Sequence, residues 1–350
     1  MDPKKILIIQ QKMIGDVLTT SILFEALKTK FPTSELHYLV NQNCVPVVEN
    51  NPFIDELITI SVKTEKNVHM LWKLGSFLKS KKYDIVIDVY SKNSSAFLTF
   101  KTNAKIRIGL KKWYLKWAYT NSIETSDISV EIPKAFYNRL EFLKPLNVPI
   151  DLNLAPKIFI SEDEKLQMQE LLKKEDFSEN DELVMVNCLG SEASKTYPLK
   201  YMAKFLDTFI SFYPNKKLLL NYIPMQLKEV EELIHLCDPK TKSVILKFYA
   251  PSLRKFIVLT SFCEAVIGNE GGAINIGKAL DLKTFAIFSP WVSAEAWGHQ
   301  NSEKYLNVHL REFRPELFEG KSKKEIKRNV AAFYEAFKPE LFADRLKKFL

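Results

Sequence analysis

Three short stretches of this chain carry the residue types that ionic group transfer needs. The first is "KMIGDVLTT", where the apolar run Ile6 to Ile9 gives way to Gly15, Asp16 and the start of a helical pattern. Two readings of Asp16 stay open on spacing alone. Its carboxylate can cap the helix by accepting the first free amides, or it can act as a general base that takes a proton from a substrate hydroxyl. The second stretch is "NEGGAINIGKAL", 269–280, in which two glycines follow the apolar strand "EAVIG" and open a helix. Glycines let a backbone approach a ligand closely, and helix amides then face an anion, which suits a diphosphate. A tight strand-to-helix turn is the plainer alternative. The stretch is neither GxGxxG nor a P-loop. The third is "NCLGSEASKTYPLKYM", 187–202, with Lys195 between Gly190 and Pro198. Lys195 could neutralise a phosphate leaving group, although most lysines are solvated surface charge. All three loops follow strands, and that convergence carries more than any one of them.

The elements that must position these loops alternate. Ile6–Ile9 reads as a strand, followed by a helix over 17–30, then a strand at Leu36–Val40. "HMLWKLGSFLKSKKYD" is helical, Ile85–Val89 a third strand, and "AKIRIGL" a fourth. This order predicts a parallel sheet with helices on both faces. Residues 145–157, "PLNVPIDLNLAPK", read as a linker. The alternation then restarts. Strands are expected in "ELVMVNCLG", "KKLLLNY", "EAVIG" and "KTFAIFS", and helices in "EDEKLQMQELLKK", "YPLKYMAKFLDTFISFYP", "LKEVEELIHL" and "PSLRKFIVLTSF". Pro198 sits at the start of the second of these helices, a favoured place for proline. The expected domains are 1–150, 151–325, and C-terminal helices at 326–350 packing back on the first domain. Open α/β sheets bind ligands at the carboxyl ends of their strands, so a cleft between the two sheets is the expected site.

Composition bounds the answer. The 350 residues are 46% hydrophobic, enough for two domains with packed cores. No stretch approaches 18 consecutive apolar residues, and "MDPKKILIIQQKMIGD" does not read as a signal peptide. Cys44, Cys188, Cys237 and Cys263 form no CxxC pair, which fits a reducing cytoplasm rather than a zinc or disulfide framework. The net charge of +8 suits an anionic partner such as a nucleotide phosphate, acidic lipid or nucleic acid. The best candidate for a basic–aromatic surface is "GLKKWYLKWAY", 109–119, which suits a membrane surface or an acidic acceptor better than a nucleic acid. An ordinary helix or loop facing the neighbouring domain is the alternative.

The three stretches resemble the heptosyltransferase family (glycosyltransferase family 9). "KKILIIQQKMIGDVLTTSILFEALKTKFP" looks like the family's opening with its "IGDV" turn. "GSEASKTYPLKYMAKFLD" resembles its glycine-to-lysine-to-"WP" stretch, with Tyr197 in place of tryptophan. "VIGNEGGAINIGKALDLKTFAIFSP" is similar to its "NDSGxxHxAAAL…P" segment. The resemblance implies a GT-B fold, with two Rossmann-like domains facing a central cleft and a C-terminal helix crossing back. It implies an inverting transfer from a nucleotide-activated heptose, expected to be ADP-heptose, to a lipid-linked acidic saccharide of the lipopolysaccharide inner core. It implies Asp16 as the base, with Lys12, Met13 and Gly15 in the acceptor-side loop. It implies Lys195, Gly271 and Gly272 at the donor diphosphate and Glu270 at the donor sugar, with Gly190, Ser191 and Asn275 completing the donor-binding set. Glu270 stands where the family has aspartate, Gly271 where it has serine or threonine, and Asn275 where it has histidine.

The expected mechanism is a single displacement. Asp16 deprotonates the acceptor hydroxyl as it attacks the anomeric carbon, while Lys195 and the amides of Gly271 and Gly272 stabilise the departing diphosphate. No cofactor and no metal are expected: Asp84 and Asp88 lie at the two ends of one strand, so they form no DxD-like pair. The expected location is cytoplasmic, peripheral at the inner face of the inner membrane, with no nucleic acid as partner. The rivals are a transferase using another nucleotide sugar, an epimerase or hydrolase of the same shape, and a non-catalytic nucleotide-sugar binder.

Overall fold

The computed structural model describes residues 3–126, 132–174, 177, 181–294 and 302–350. It divides into two units, Met1–Phe159 and Ile160–Leu350, a boundary nine residues beyond the expected one.

In the first unit, β1 (Lys5–Ile9), α1 (Ile14–Thr20), α2 (Ile22–Lys30), β2 (Glu35–Asn41), β3 (Glu56–Ile60), α3 (Val62–Lys66), α4 (Val68–Ser80), β4 (Ile85–Asp88), α5 (Asn93–Lys101), β5 (Ile106–Leu110), β6 (Asn121–Ile123) and α6 (Lys134–Leu140) follow in order. The six strands are all parallel, in the order β3-β2-β1-β4-β5-β6. Ile6 pairs with Leu36 on one side and Ile85 on the other. Ile6, Leu7, Ile8 and Ile9 are all fully buried, because a central parallel strand is covered on both faces. The helix expected over 17–30 is two helices meeting at Ser21, and the first begins at Ile14 rather than Val17.

The second unit repeats the plan with α7 (Glu162–Lys174), β7 (Glu182–Asn187), α8 (Leu199–Phe212), β8 (Lys216–Leu220), α9 (Leu227–Leu236), α10 (Pro239–Val244), β9 (Ile245–Leu246), α11 (Leu253–Thr260), β10 (Ala265–Asn269), α12 (Gly272–Ala279), β11 (Lys283–Ile287) and β12 (Tyr305–Val308). The sheet order is β12-β11-β10-β7-β8-β9, again all parallel. Counted from its own first strand, each sheet runs 3-2-1-4-5-6, the doubly wound order. That order reverses beside the first strand, and the crevice at the reversal is where such sheets take ligands.

The C-terminal helices correct an expectation. They pack on the second unit: Phe333, Phe337, Phe342 and Phe349 are buried in one core with Phe205, Phe285 and Tyr197. Seven aromatic pairs among Tyr197, Phe205, Phe285, Phe337, Phe342 and Phe349 lie 5.4–6.5 Å apart, centroid to centroid. Burial of these rings ties the segment to the second unit. Among the described residues no helix is long and apolar enough to cross a membrane.

Candidate functional site

The first candidate site is the switch point of the first sheet, between the loops that leave β1 and β4. Asp16 is the third residue of α1 rather than its N-cap, which is Met13. Its Oδ2 accepts weakly from the Met13 amide, at 3.5 Å, and its Oδ1 is ion-paired with Nη2 of Arg139 on α6. The pair is not fully sealed, since the Asp16 side chain keeps 28% of its exposure and Arg139 15%. A guanidinium on one carboxylate oxygen fixes the rotamer.

Asp16, Lys12, Tyr90, Lys92 and Arg139 line a cavity of about 330 Å³. Lys12, Tyr90 and Lys92 also line a neighbouring one of about 600 Å³ with Tyr114. Both volumes suit small-molecule sites. The Oδ1 of Asn138, buried with no hydrogen-bond partner, also lies along the smaller cavity. Lys12 pairs with Glu65 at 2.6 Å, which raises its pKa. Met13 is exposed, and Gly15 lies inside α1. Below the cavity, the buried Asp88 carboxylate accepts from the Ser91 amide (2.8 Å) and the Tyr119 hydroxyl (2.7 Å), and burial pushes its pKa up to about 6. These bonds fix the turn that presents Tyr90 and Lys92. Asp84, at the other end of β4, accepts from the amides of Lys4 and Lys5.

The second candidate site is the switch point of the second sheet, between the loops leaving β7 and β10. The two loops are stitched together by asparagines at the strand ends. Asn187 Nδ2 donates to Asn269 O (2.7 Å), and Asn269 Nδ2 donates to Cys188 O (2.9 Å). The Tyr197 amide donates to Asn269 Oδ1 at 2.7 Å. Gly190 lies so close under Lys195 that a Cβ would stand 2.5 Å from the Lys195 carbonyl oxygen. Tyr197 then anchors the loop from below, its hydroxyl donating to the Phe337 carbonyl in the aromatic core. Ser191 is exposed at the loop's outer turn.

Gly271 is the N-cap of α12, at φ 156° and ψ −160°, a conformation open in practice only to glycine. A Cβ on Gly272 meets nothing within 4 Å, so the space over the first helical residue is open. The Asn275 amide bonds back to the Gly271 carbonyl.

Electrostatics couple this loop to its neighbours. Burial raises the Glu270 pKa, against the opposing pull of Lys195 and Lys278. Burial also lowers the Lys278 pKa to about 8, with Glu270 opposing it. A lysine with a lowered native pKa binds fewer protons folded than unfolded between pH 8 and 10.5, so its contribution to stability rises across that window. Lys278→Met removes the buried charge. The stability advantage of that variant over wild type in urea melts should therefore shrink as pH rises from about 8 to 10.5. An advantage constant over that window would show an ordinary, solvated lysine.

Sequence reasoning missed Arg139, Lys278 and Trp291. Trp291 carries the ammonium groups of Lys195 (5.3 Å), Lys323 (5.3 Å) and Lys327 (4.1 Å) around its ring, and its indole N–H donates to Ser194 O at 3.0 Å. It holds Lys195 by cation–π attraction, and the "FSPW" turn after β11 gave only a proline as a signal.

The sequence profile described as glycosyltransferase family 9 (heptosyltransferase) matches residues 71–326. The chain belongs to that family. Family 9 members are glycosyltransferases, and the two doubly wound units make this one a GT-B fold. The chain is 26% identical over 299 residues to lipopolysaccharide heptosyltransferase 1 of Campylobacter coli, covering 81% of this chain and 83% of that one. Among solved structures it is similar to a family 9 glycosyltransferase from Veillonella parvula (TM-score 0.77, 22% identity, 95% and 98% covered). It is also similar to the ADP-heptose heptosyltransferase II of E. coli (TM-score 0.72, 16% identity, 95% and 98% covered).

One cluster among the described residues could hold a metal: Glu35, His37 and Glu56. It lies where β2 and β3 begin, at the sheet edge opposite the Asp16 loop. His37 already bonds Glu35 (2.6 Å) and the Tyr83 hydroxyl (2.8 Å), and Lys5 and Lys81 pair with the two glutamates.

Proposed function

We propose that this glycosyltransferase moves heptose from ADP-heptose to the inner core of lipopolysaccharide, with inversion at the anomeric carbon. The observation that carries the reading is the loop pair at the second switch point. An open glycine-capped helix start, Glu270 and a braced Lys195 together offer what a sugar diphosphate needs: amides and a cation for the phosphates, a carboxylate for sugar hydroxyls. The heptosyltransferase relatives from C. coli and Salmonella typhimurium support the lipopolysaccharide acceptor, and the E. coli heptosyltransferase structure with ADP supports the adenine nucleotide.

In this reading the second unit receives the donor and the first the acceptor. Arg139 holds the Asp16 carboxylate in place, and the oxygen not engaged by Arg139 takes the acceptor proton. Lys195 and the amides of Gly271 and Gly272 stabilise the leaving ADP. In this reading these groups supply the charge compensation without a cofactor, and the reaction runs on the cytoplasmic side. Calorimetric titration with ADP, UDP and ADP-heptose tests the donor: ADP and ADP-heptose should bind and UDP should not. Tighter binding of a uridine nucleotide would replace the donor.

Lys195→Ala should lower kcat by about 10²–10³-fold, the usual loss for one electrostatic donor. Because Lys195 is only partly buried, the melting temperature should change little. Unchanged kinetics at all donor concentrations would remove Lys195 from the reaction.

A further inference from the structure

One face of the first unit carries an unusual set of exposed side chains. Trp113 is 83% exposed, and Trp72, Trp117 and Phe100 are each about half exposed. They are not scattered. Phe100 packs edge-on against Trp117 at 5.5 Å, Trp113 against Tyr114 at 5.5 Å, and the Trp117 indole N–H donates to the Tyr114 carbonyl at 3.0 Å. The Lys101 stem crosses Gly75 of α4, where a Cβ would stand 2.7 Å from its Cγ, and its ammonium sits 4.5 Å over Trp72. Trp72, Lys101, Phe100, Trp117, Tyr114 and Trp113 thus form one strip from α4 across α5 to the turn after β5. The turn is built to face outward: Leu115 and Ala118 are buried against Ala96 and Tyr119, which leaves Trp113, Tyr114, Lys116 and Trp117 in solvent. Single exposed apolar residues need no explanation, but a contiguous strip of rings marks an interaction surface.

We propose that this strip docks the protein on an anionic lipid bilayer. Charge selects that occupant. Residues 67–82 and 100–117 contain ten lysines and arginines and no aspartate or glutamate. Of the ten, Lys81 and Lys111 are paired to acids from outside these stretches. Tryptophan and tyrosine interleaved with lysine match the headgroup layer, where rings enter the boundary and ammonium groups meet lipid phosphates. A protein partner would more often meet an apolar centre with charge kept to the rim. The strip also ends at the candidate site: Tyr114 lines the larger cavity, which shares Lys12, Tyr90 and Lys92 with the cavity of Asp16. A protein so docked holds its acceptor cavity beside the membrane. The exposed strip is independent of the identity of the donor, so vesicle binding can fail while transfer to a lipid-free acceptor fragment persists.

The test is co-sedimentation of the full chain with phosphatidylcholine vesicles, with and without phosphatidylglycerol. Wild type should bind the phosphatidylglycerol vesicles and release as salt rises. Trp113→Ala with Trp117→Ala should weaken that binding at least about tenfold, since it removes apolar area. Lys73→Gln with Lys116→Gln should weaken it about twenty-five-fold, at roughly fivefold per lysine. All four side chains are exposed, so melting temperatures should stay put and confirm folding. Wild type that binds neither vesicle, binds both equally, or binds as well as the two variants overturns the proposal. So does a concentration-dependent dimer in light scattering that the tryptophan variant dissociates, which would give the strip to a second copy of the chain.

Discussion

Asp16→Asn should reduce transfer by about 10²-fold or more while the protein folds and binds donor normally. Asparagine keeps an amide oxygen that can accept from Arg139 or from the Met13 amide, so α1 and α6 should stay in place. What it lacks is the capacity to take a proton. The effect should therefore fall on kcat, with the affinity for nucleoside diphosphate unchanged, because the loops proposed to bind the donor lie in the other unit. Stability should drop, since a neutral acceptor replaces a charged one in an ion pair that keeps only part of its exposure. Near-normal turnover would leave Asp16 as a helix-start residue and nothing more.

Gly272→Val should abolish binding of both ADP and ADP-heptose. The protein itself has room for the side chain, because a Cβ at Gly272 meets no atom within 4 Å. Valine is no worse a helix former than the glycine it replaces, so the change should not unfold the protein. Lost binding in a folded variant would then report a ligand that needs the open space over the helix start. Glu270→Gln should act differently, sparing ADP and weakening ADP-heptose, since only the sugar offers hydroxyls to the carboxylate. Calorimetry on the two ligands with each variant makes the comparison. Equal loss of both ligands in Glu270→Gln, or loss of neither, would leave the loop as a phosphate turn with no grip on the sugar.

The strands that carry the two sites were legible because central parallel strands are apolar on both faces. "KILII" and "AVIGN" announce themselves as short buried runs ending in glycine-bearing loops. The edge strands were not. Glu56–Ile60 is only partly covered, Ile245–Leu246 has two residues, and Tyr305–Val308 looks like any mixed segment.

Asp16 and Lys195 could be singled out from type and position alone. Arg139 could not, since its carboxylate partner lies 123 residues away in the chain, and nothing local distinguishes "YNRL" from an ordinary helix end. The same limit explains the C-terminal helices. The aromatic residues at 333, 337, 342 and 349 predict burial, but spacing does not say against which unit.

In the proposed transfer Asp16 takes the acceptor proton, and the loops of Lys195 and Gly272 hold the departing ADP. The direct measurement is a paired assay of ADP release and acceptor mass, with ADP-heptose and inner-core lipopolysaccharide lacking heptose. The account predicts that each ADP released matches one heptosyl unit gained by the acceptor, and that release stops when the acceptor is withheld. ADP released at full rate without acceptor would mark a hydrolase, and ADP-heptose bound but never consumed would mark a binding protein; either would contradict it.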